Sequence, residues 1–226
     1  MSAPPTERLK SETSETLFLT TKKLKHMTEK LADPAPLGLI SFGATTMIVS
    51  LVHHVLNGEV DSVILGMGLA YGGLAQVIAG VLEYRRGNTF GMVAFTSYGL
   101  FWWSYAILNL LPRCQFFYGY GSPSYESFTA YYVVWGLFTL MMYFGTLKAS
   151  RALQTVFVTL AILFFLIAAK SAILAFTTFT SSDLTEFSLI IGIEGVITGF
   201  SAFYLGLARI INEVHQRSVL PIGQSA

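Results

Sequence analysis

Residues 153–176, LQTVFVTLAILFFLIAAKSAILAF, form an apolar run broken by one charge, Lys170. A bilayer core is crossed by roughly 20 helical residues, so this run is long enough to span one. Five further stretches of the same kind lie at about 37–56, 62–83, 89–111, 127–147 and 187–209. The predicted fold is therefore an all-α membrane protein with six transmembrane helices.

The flanking charges test that count. Arg8, Lys10, Lys22, Lys23, Lys25 and Lys30 precede the first stretch, Arg85 and Arg86 separate the second from the third, Lys148 and Arg151 separate the fourth from the fifth, and Arg209 and Arg217 follow the sixth. The alternate connections hold Glu59, Asp61, Glu126, Asp183 and Glu186 but only Arg113. Cytoplasmic loops carry the excess of Lys and Arg, which puts both termini in the cytoplasm. Five or seven spans would scramble the alternation.

Composition agrees and excludes several function classes. The chain is 53% hydrophobic and 12% charged, with mean hydropathy +0.59, whereas a soluble domain carries about 25% charged residues. A net charge of +1 provides no field for nucleic acid. The single Cys114 leaves no internal disulfide or thiolate metal site, and neither a metal nor a cofactor is expected. Residues 1–30 lack the continuous apolar core of a cleavable signal peptide. No nucleophile–base set or carboxylate pair of an intramembrane protease is recognisable, so an enzyme is not expected.

Three zones follow: a cytoplasmic N-terminal tail at 1–33, a transmembrane domain at 34–211 and a cytoplasmic C-terminal tail at 212–226. Within the first tail, Leu24, Met27 and Leu31 recur at helical spacing among lysines, the pattern of a short amphipathic helix on an anionic leaflet. All seven prolines, at 4, 5, 34, 36, 112, 123 and 221, lie outside the marked stretches. Glycines repeat every seven residues as Gly66, Gly73 and Gly80 and as Gly192, Gly199 and Gly206. Small residues on one stripe let helix backbones approach in lipid, so both stripes read as helix contacts. The loop at about 112–126, with Tyr118, Tyr120 and Tyr125, reads as an interfacial aromatic belt or an outer vestibule wall.

The sharpest local strings lie at the start of span one and around the turn after span two. Asp33-Pro34-Ala35-Pro36-Leu37-Gly38-Leu39 opens span one, with Asp33 placed to cap and Pro34 suited to the first helical position. Tyr71-Gly72-Gly73-Leu74-Ala75-Gln76 sets a phenol and a carboxamide among small residues, both able to donate to a carboxylate. Leu82-Glu83-Tyr84-Arg85-Arg86-Gly87-Asn88-Thr89-Phe90-Gly91 makes a tight turn, followed by Phe95-Thr96-Ser97-Tyr98-Gly99.

Together with Ser41-Phe42-Gly43-Ala44-Thr45-Thr46, Phe144-Gly145-Thr146-Leu147-Lys148 and Asn212-Glu213 to Val219-Leu220-Pro221-Ile222-Gly223, these strings resemble the acetate uptake transporter family. That family includes bacterial succinate-acetate permeases and fungal ammonia and acetate exporters. The resemblance runs from Asp33 almost to the end. It implies a six-helix protomer in a homohexamer of the plasma membrane, each protomer with its own narrow pore for acetate and similar monocarboxylates, working as a channel or a proton-coupled carrier. It also implies a constriction of Phe42, Tyr98 and Leu160. The family signature normally begins with Asn; Asp33 keeps an acceptor but lacks the amide donor.

A small carboxylate suits a path that alternates weak hydrogen-bond donors with apolar rings, because conduction requires weak binding at several points. Thr45, Thr46, Tyr71, Gln76, Thr96, Ser97 and Tyr98 supply donors, while Phe42 and Leu160 narrow the path. Proton coupling needs an ionisable group within the spans. Glu83 is the first candidate, with Glu194, His53 and His54 beside it, and an ion pair of Glu83 with Arg85 or Arg86 is the structural reading. Lys170 and Glu194 are expected to pair at matched depth in spans five and six, with capture of the anion by Lys170 as the rival. Readings from other classes are a non-transporting membrane sensor and an ammonium-linked permease.

Overall fold

A computed structural model of the chain describes residues 15–21, 31–114 and 123–223. The chain divides into two compact units, Met1–Asp33 and Pro34–Ala226. In the first, residues 15–21 form a short helix whose side chains, Leu17, Phe18 and Leu19 among them, are exposed. Leu24 and Met27 of the predicted amphipathic helix, and Tyr118 and Tyr120 of the predicted aromatic loop, lie outside the described residues.

The second unit is built from long helices: α1 (Ala35–Val55), α2 (Ser62–Arg85), α3 (Thr89–Leu110), α4 (Tyr125–Gly145), α5 (Arg151–Phe176) and α6 (Thr185–Val214). No strand occurs among the described residues. Five of them, α1, α2, α4, α5 and α6 with its leading turn Ser181–Leu184, are long and apolar enough to cross a membrane. Helix α3 has 22 residues, but Thr96, Ser97, Tyr98, Trp102, Trp103, Ser104 and Tyr105 lower its hydropathy. The cause is its position, since Phe95, Tyr98, Phe101 and Trp102 are buried in protein.

Most helix ends fall within two residues of the predicted edges, and α6 departs furthest. It continues to Val214, so the predicted boundary at 211 lies inside a helix. Residues beyond it turn back toward α5. The backbone N–H groups of Arg151 and Ala152 donate to the carbonyls of Gly223 and Ile222, and the Asn212 side chain holds Val219 N and Leu220 N at 2.7 and 2.8 Å. Two orphan donors at the start of α5 are thereby satisfied.

Two helices contain wide π turns that their composition does not announce, Ser50–Val55 in α1 and Gly68–Ala75 in α2. At the second, the Trp103 indole N–H donates to the Leu69 carbonyl at 2.8 Å, and a side chain entering the helical ladder in this way is a recognised cause of irregularity. The start of α1 also differs from expectation. Pro34 occupies the cap position without a side-chain cap, and Pro36 sits in the first turn. Pro36 brings no N–H, so the turn has one fewer donor to satisfy.

Sequence neighbours pack as pairs, α1 on α2, α2 on α3, α4 on α5 and α5 on α6, and α6 returns to α1. The remaining seam, α3 to α4, is filled by aromatic rings: Tyr98 with Trp135 and Phe138, and Phe101 with Tyr131 and Trp135. The result is a closed ring of helices. One end, the far end, carries the connections 56–61 and 177–184 and the helix ends Leu110 and Tyr125; the near end carries the connections 86–88 and 146–150.

The ring closes where α6 crosses α1. A Cβ at Gly199 would lie 2.7 Å from the Gly43 carbonyl oxygen and 2.7 Å from Met47 Cγ, and a Cβ at Gly43 would meet the Gly199 carbonyl. Gly192 and Gly206 likewise face Val55 and Ile40, as the stripe predicts. In α2, Gly73 and Gly80 face Trp103 and Thr96, but Gly66 has nothing within 4 Å of its Cβ position among the described residues. Backbone cannot retreat as a side chain can, so Gly199→Ala is expected to cost about 1–3 kcal/mol by overpacking. A thermal melt of detergent-purified protein should show that loss for Gly199→Ala and none for Gly66→Ala.

Candidate functional site

Two cavities enter the ring from opposite ends, of about 690 Å³ at the far end and 70 Å³ at the near end. Phe42 of α1 and Leu160 of α5 line both, so the cavities approach each other at these side chains. Tyr98 of α3 lines the smaller cavity, with its ring centroid 5.8 Å from that of Phe42. All three are buried. The residues named for a constriction thus come together, one from each alternate helix.

Tyr98 is held on every side. The single hydroxyl hydrogen of Thr139 goes to the Trp135 carbonyl at 2.8 Å, so at 2.9 Å Thr139 Oγ1 accepts from the Tyr98 hydroxyl. Rings of Phe42, Trp135, Phe138 and Phe157 surround it at centroid distances of 5.6–6.1 Å. Tyr98 therefore offers the cavity a ring and leaves its hydrogen in the wall.

The remaining predicted donors are not assembled into one path. Thr45 and Thr46 donate back to the carbonyls of Ser41 and Phe42 at 2.9 and 2.8 Å, a habit of hydroxyl side chains inside helices. Thr46 lines the larger cavity, whereas Thr45 packs where Gly72 passes. Tyr71, Thr96 and Ser97 line neither cavity, and the Thr96 hydroxyl fills the space left by Gly80. Gln76 does line the smaller cavity; it is fully buried and its Oε1 has no partner among the described residues.

Glu83 also lines the smaller cavity, fully buried. Asn88 Nδ2 donates to Glu83 Oε2 at 2.8 Å, while Glu83 Oε1 has no partner among the described residues. The ion pair expected with Arg85 or Arg86 does not form: burial carries the carboxylate inward while both arginines are exposed. Of the signature residues, Ala35 and Leu39 line this cavity, and Gly38 lets the Phe95 ring approach, Cγ lying 2.8 Å from its Cβ position.

Lys170 and Glu194 do not pair. Lys170 Nζ donates to Ser188 Oγ at 2.6 Å, and Glu194 Oε1 is buried without a partner among the described residues. Ser188 lies six residues, about 9 Å of helix, nearer the far end than Glu194. Matching depths by helical rise ignores the lysine stem, which bends toward water. His53 donates from Nδ1 to the Gly58 carbonyl at 3.0 Å and packs its ring edge-on to His54. No group of three metal-ligating side chains exists among the described residues.

Three positioning residues were not singled out in the sequence. Asn88 caps α3, accepting from Gly91 N at 3.0 Å while holding Glu83; an Asn before a helix start is a visible cap signal. Thr139 fixes Tyr98, and Gln154 Nε2 gathers the carbonyls of Thr146, Leu147 and Ala149 between α4 and α5. Neither carries a local signal, because each acts on a partner distant in sequence or irregular in backbone.

Residues 18–224 match the model of the GPR1/FUN34/yaaH family. The chain is 45% identical over 201 residues to the succinate-acetate/proton symporter SatP of Escherichia coli K12, covering 87% of this chain and 97% of that one. It is 30% identical over 200 residues to acetate permease A of Emericella nidulans, covering 85% and 66%. Its fold is similar to a solved structure of the bacterial acetate channel SatP, with TM-score 0.77 and 44% identity over 86% of this chain and all of the other.

The donor assignment at Tyr98 sets an order of stabilities. Tyr98→Phe removes one bond and keeps the ring, at about 1 kcal/mol. Thr139→Val strands the phenol hydroxyl in an apolar wall, at about 1–3 kcal/mol. Thermal melts of the two variants should rank them in that order, and the reverse ranking would mean that the hydroxyl serves another partner.

Proposed function

The chain belongs to the GPR1/FUN34/yaaH family, and on that premise we propose that it carries acetate and similar small monocarboxylates across a membrane through one narrow pore per protomer. It is a multi-pass membrane transport protein and not an enzyme. The observation that carries the pore reading is the pair of cavities that enter from opposite ends and share only Phe42 and Leu160. In this reading α1 to α6 all span the bilayer, both termini are cytoplasmic, the far end faces outward, and protomers assemble as a homohexamer in the plasma membrane. Large exposed apolar residues on α4 and α6, such as Val134, Met141, Ile193 and Phe200, support contact with lipid or a neighbouring protomer.

An apolar neck resists hydrated ions yet passes a small solute with a methyl group, because dewetting penalises whatever must keep its water. Below the neck, the Gln76 amide meets the carboxylate, and Glu83 is the group placed to exchange a proton in a coupled cycle. A buried ionisable residue facing a cavity is costly unless it serves such a role. Uptake of labelled acetate into liposomes containing the purified protein tests the whole reading: uptake without a chemical product is expected, and its absence in folded protein would favour a sensor, whereas uptake of labelled methylammonium alone would favour an ammonium-linked permease.

Two sets of variants test the parts. Leu160→Ala and Phe42→Ala remove volume from the neck, so propionate and lactate should gain flux relative to acetate; an unchanged ratio in both folded variants removes these residues from the pore. Gln76→Glu sets a like charge against the substrate and should depress acetate uptake more than Gln76→Asn. Equal uptake by the two, at equal amounts in the membrane, argues against contact with substrate.

A further inference from the structure

The far-end cavity separates charge in a way that the neck does not require. Among the described residues its wall holds one charged side chain, Lys170, and no Asp or Glu. The acidic residues of that end, Glu59, Asp61, Glu126, Asp183 and Glu186, are all exposed and outside the lining. Lys170 is half-buried and pinned. It donates to Ser188 Oγ at 2.6 Å, and Ser188 in turn donates to the Leu184 carbonyl at 2.9 Å, which fixes the serine oxygen as an acceptor. An ammonium has three donors, so two remain after the bond to Ser188. No described carboxylate pairs with Lys170, and Ser171 and Leu174 beside it line the same wall.

We propose that Lys170, held by Ser188, is an entry site that captures small carboxylates in their ionised form before they reach the neck. This rests on the pore reading above. A half-buried cation without a counterion is incomplete, and a carboxylate with two acceptor oxygens completes it. Low-dielectric walls lined by one sign of charge focus the field and raise the local anion concentration. Lys170 lies ten residues beyond Leu160 on α5, about 15 Å along the helix, too far to touch a solute in the neck. The site therefore acts on access and leaves the size selectivity of Phe42 and Leu160 unchanged. It also discriminates by charge: an undissociated acid of the same shape gains nothing from the ammonium.

The test is initial-rate acetate uptake into liposomes by the full chain, at roughly 10 mM and 300 mM inert salt, since the screening length shrinks several-fold between such conditions. Wild-type KM should rise with salt. Lys170→Gln should raise the low-salt KM about tenfold, with Vmax within about twofold, and abolish the salt dependence. Lys170→Arg should retain wild-type behaviour. Leu174→Glu provides an independent arm, because it keeps the lysine and sets a carboxylate one turn away on the same face; it too should raise KM and flatten the salt response. A wild-type KM and salt response in either Lys170→Gln or Leu174→Glu would overturn the proposal. Loss of uptake by the wild-type protein itself would instead count against the pore.

Discussion

Backbone meets backbone where α1 and α6 cross at Gly43 and Gly199, each leaving room for the other's carbonyl. In lipid no hydrophobic effect presses helices together, so contact between small residues replaces it. Phe42 precedes Gly43 directly. The crossing that closes the ring of helices therefore also sets how far one wall of the neck reaches inward. From the opposite wall, Leu160 projects from α5, a helix with α4 on one flank and α6 on the other. The width of the neck is a consequence of how tightly the ring is drawn.

The third side is built differently. Between α3 and α4 the helices stand apart, and rings of Tyr98, Phe101, Tyr131, Trp135 and Phe138 fill the gap. Aromatic side chains have few rotamers and large contact areas, which makes such a wall stiff. Its hydroxyls are paired internally, Tyr98 with Thr139 and Ser104 with Tyr131. Of this wall only the rings of Phe101 and Tyr98 line the cavities, one each, and its polar hydrogens stay behind them.

The long helices were legible because lipid enforces long apolar runs; the edges at Ser62, Thr89 and Phe176 fall where those runs begin or end. The proposed neck rests on resemblance and on the two cavities that meet at Phe42 and Leu160, since these are ordinary apolar residues of their helices. Three features escaped for physical reasons. The π turn at Gly68–Ala75 depends on an indole from another helix, so nothing in the segment itself marks it. The partner of Lys170 was misjudged because a flexible stem uncouples the charge from the depth of its Cα. Thr45 and Thr46 were read as free donors, whereas a helix supplies them with acceptors one turn back.

The return of residues 219–223 to α5 has a temporal side. Helix α5 leaves the ribosome some seventy residues before Gly223, at roughly 5–20 residues per second. Throughout that interval the N–H groups of Arg151 and Ala152 have only water to bond, and the acceptors that replace it, on Ile222 and Gly223, are made some seventy residues later. The helix that carries Leu160 is thus finished by a segment synthesised after α6. The start of α5 is completed in this way only after α6 has been made; until then the Ser150 cap on Leu153 N is in place while the N–H groups of Arg151 and Ala152 stay solvated.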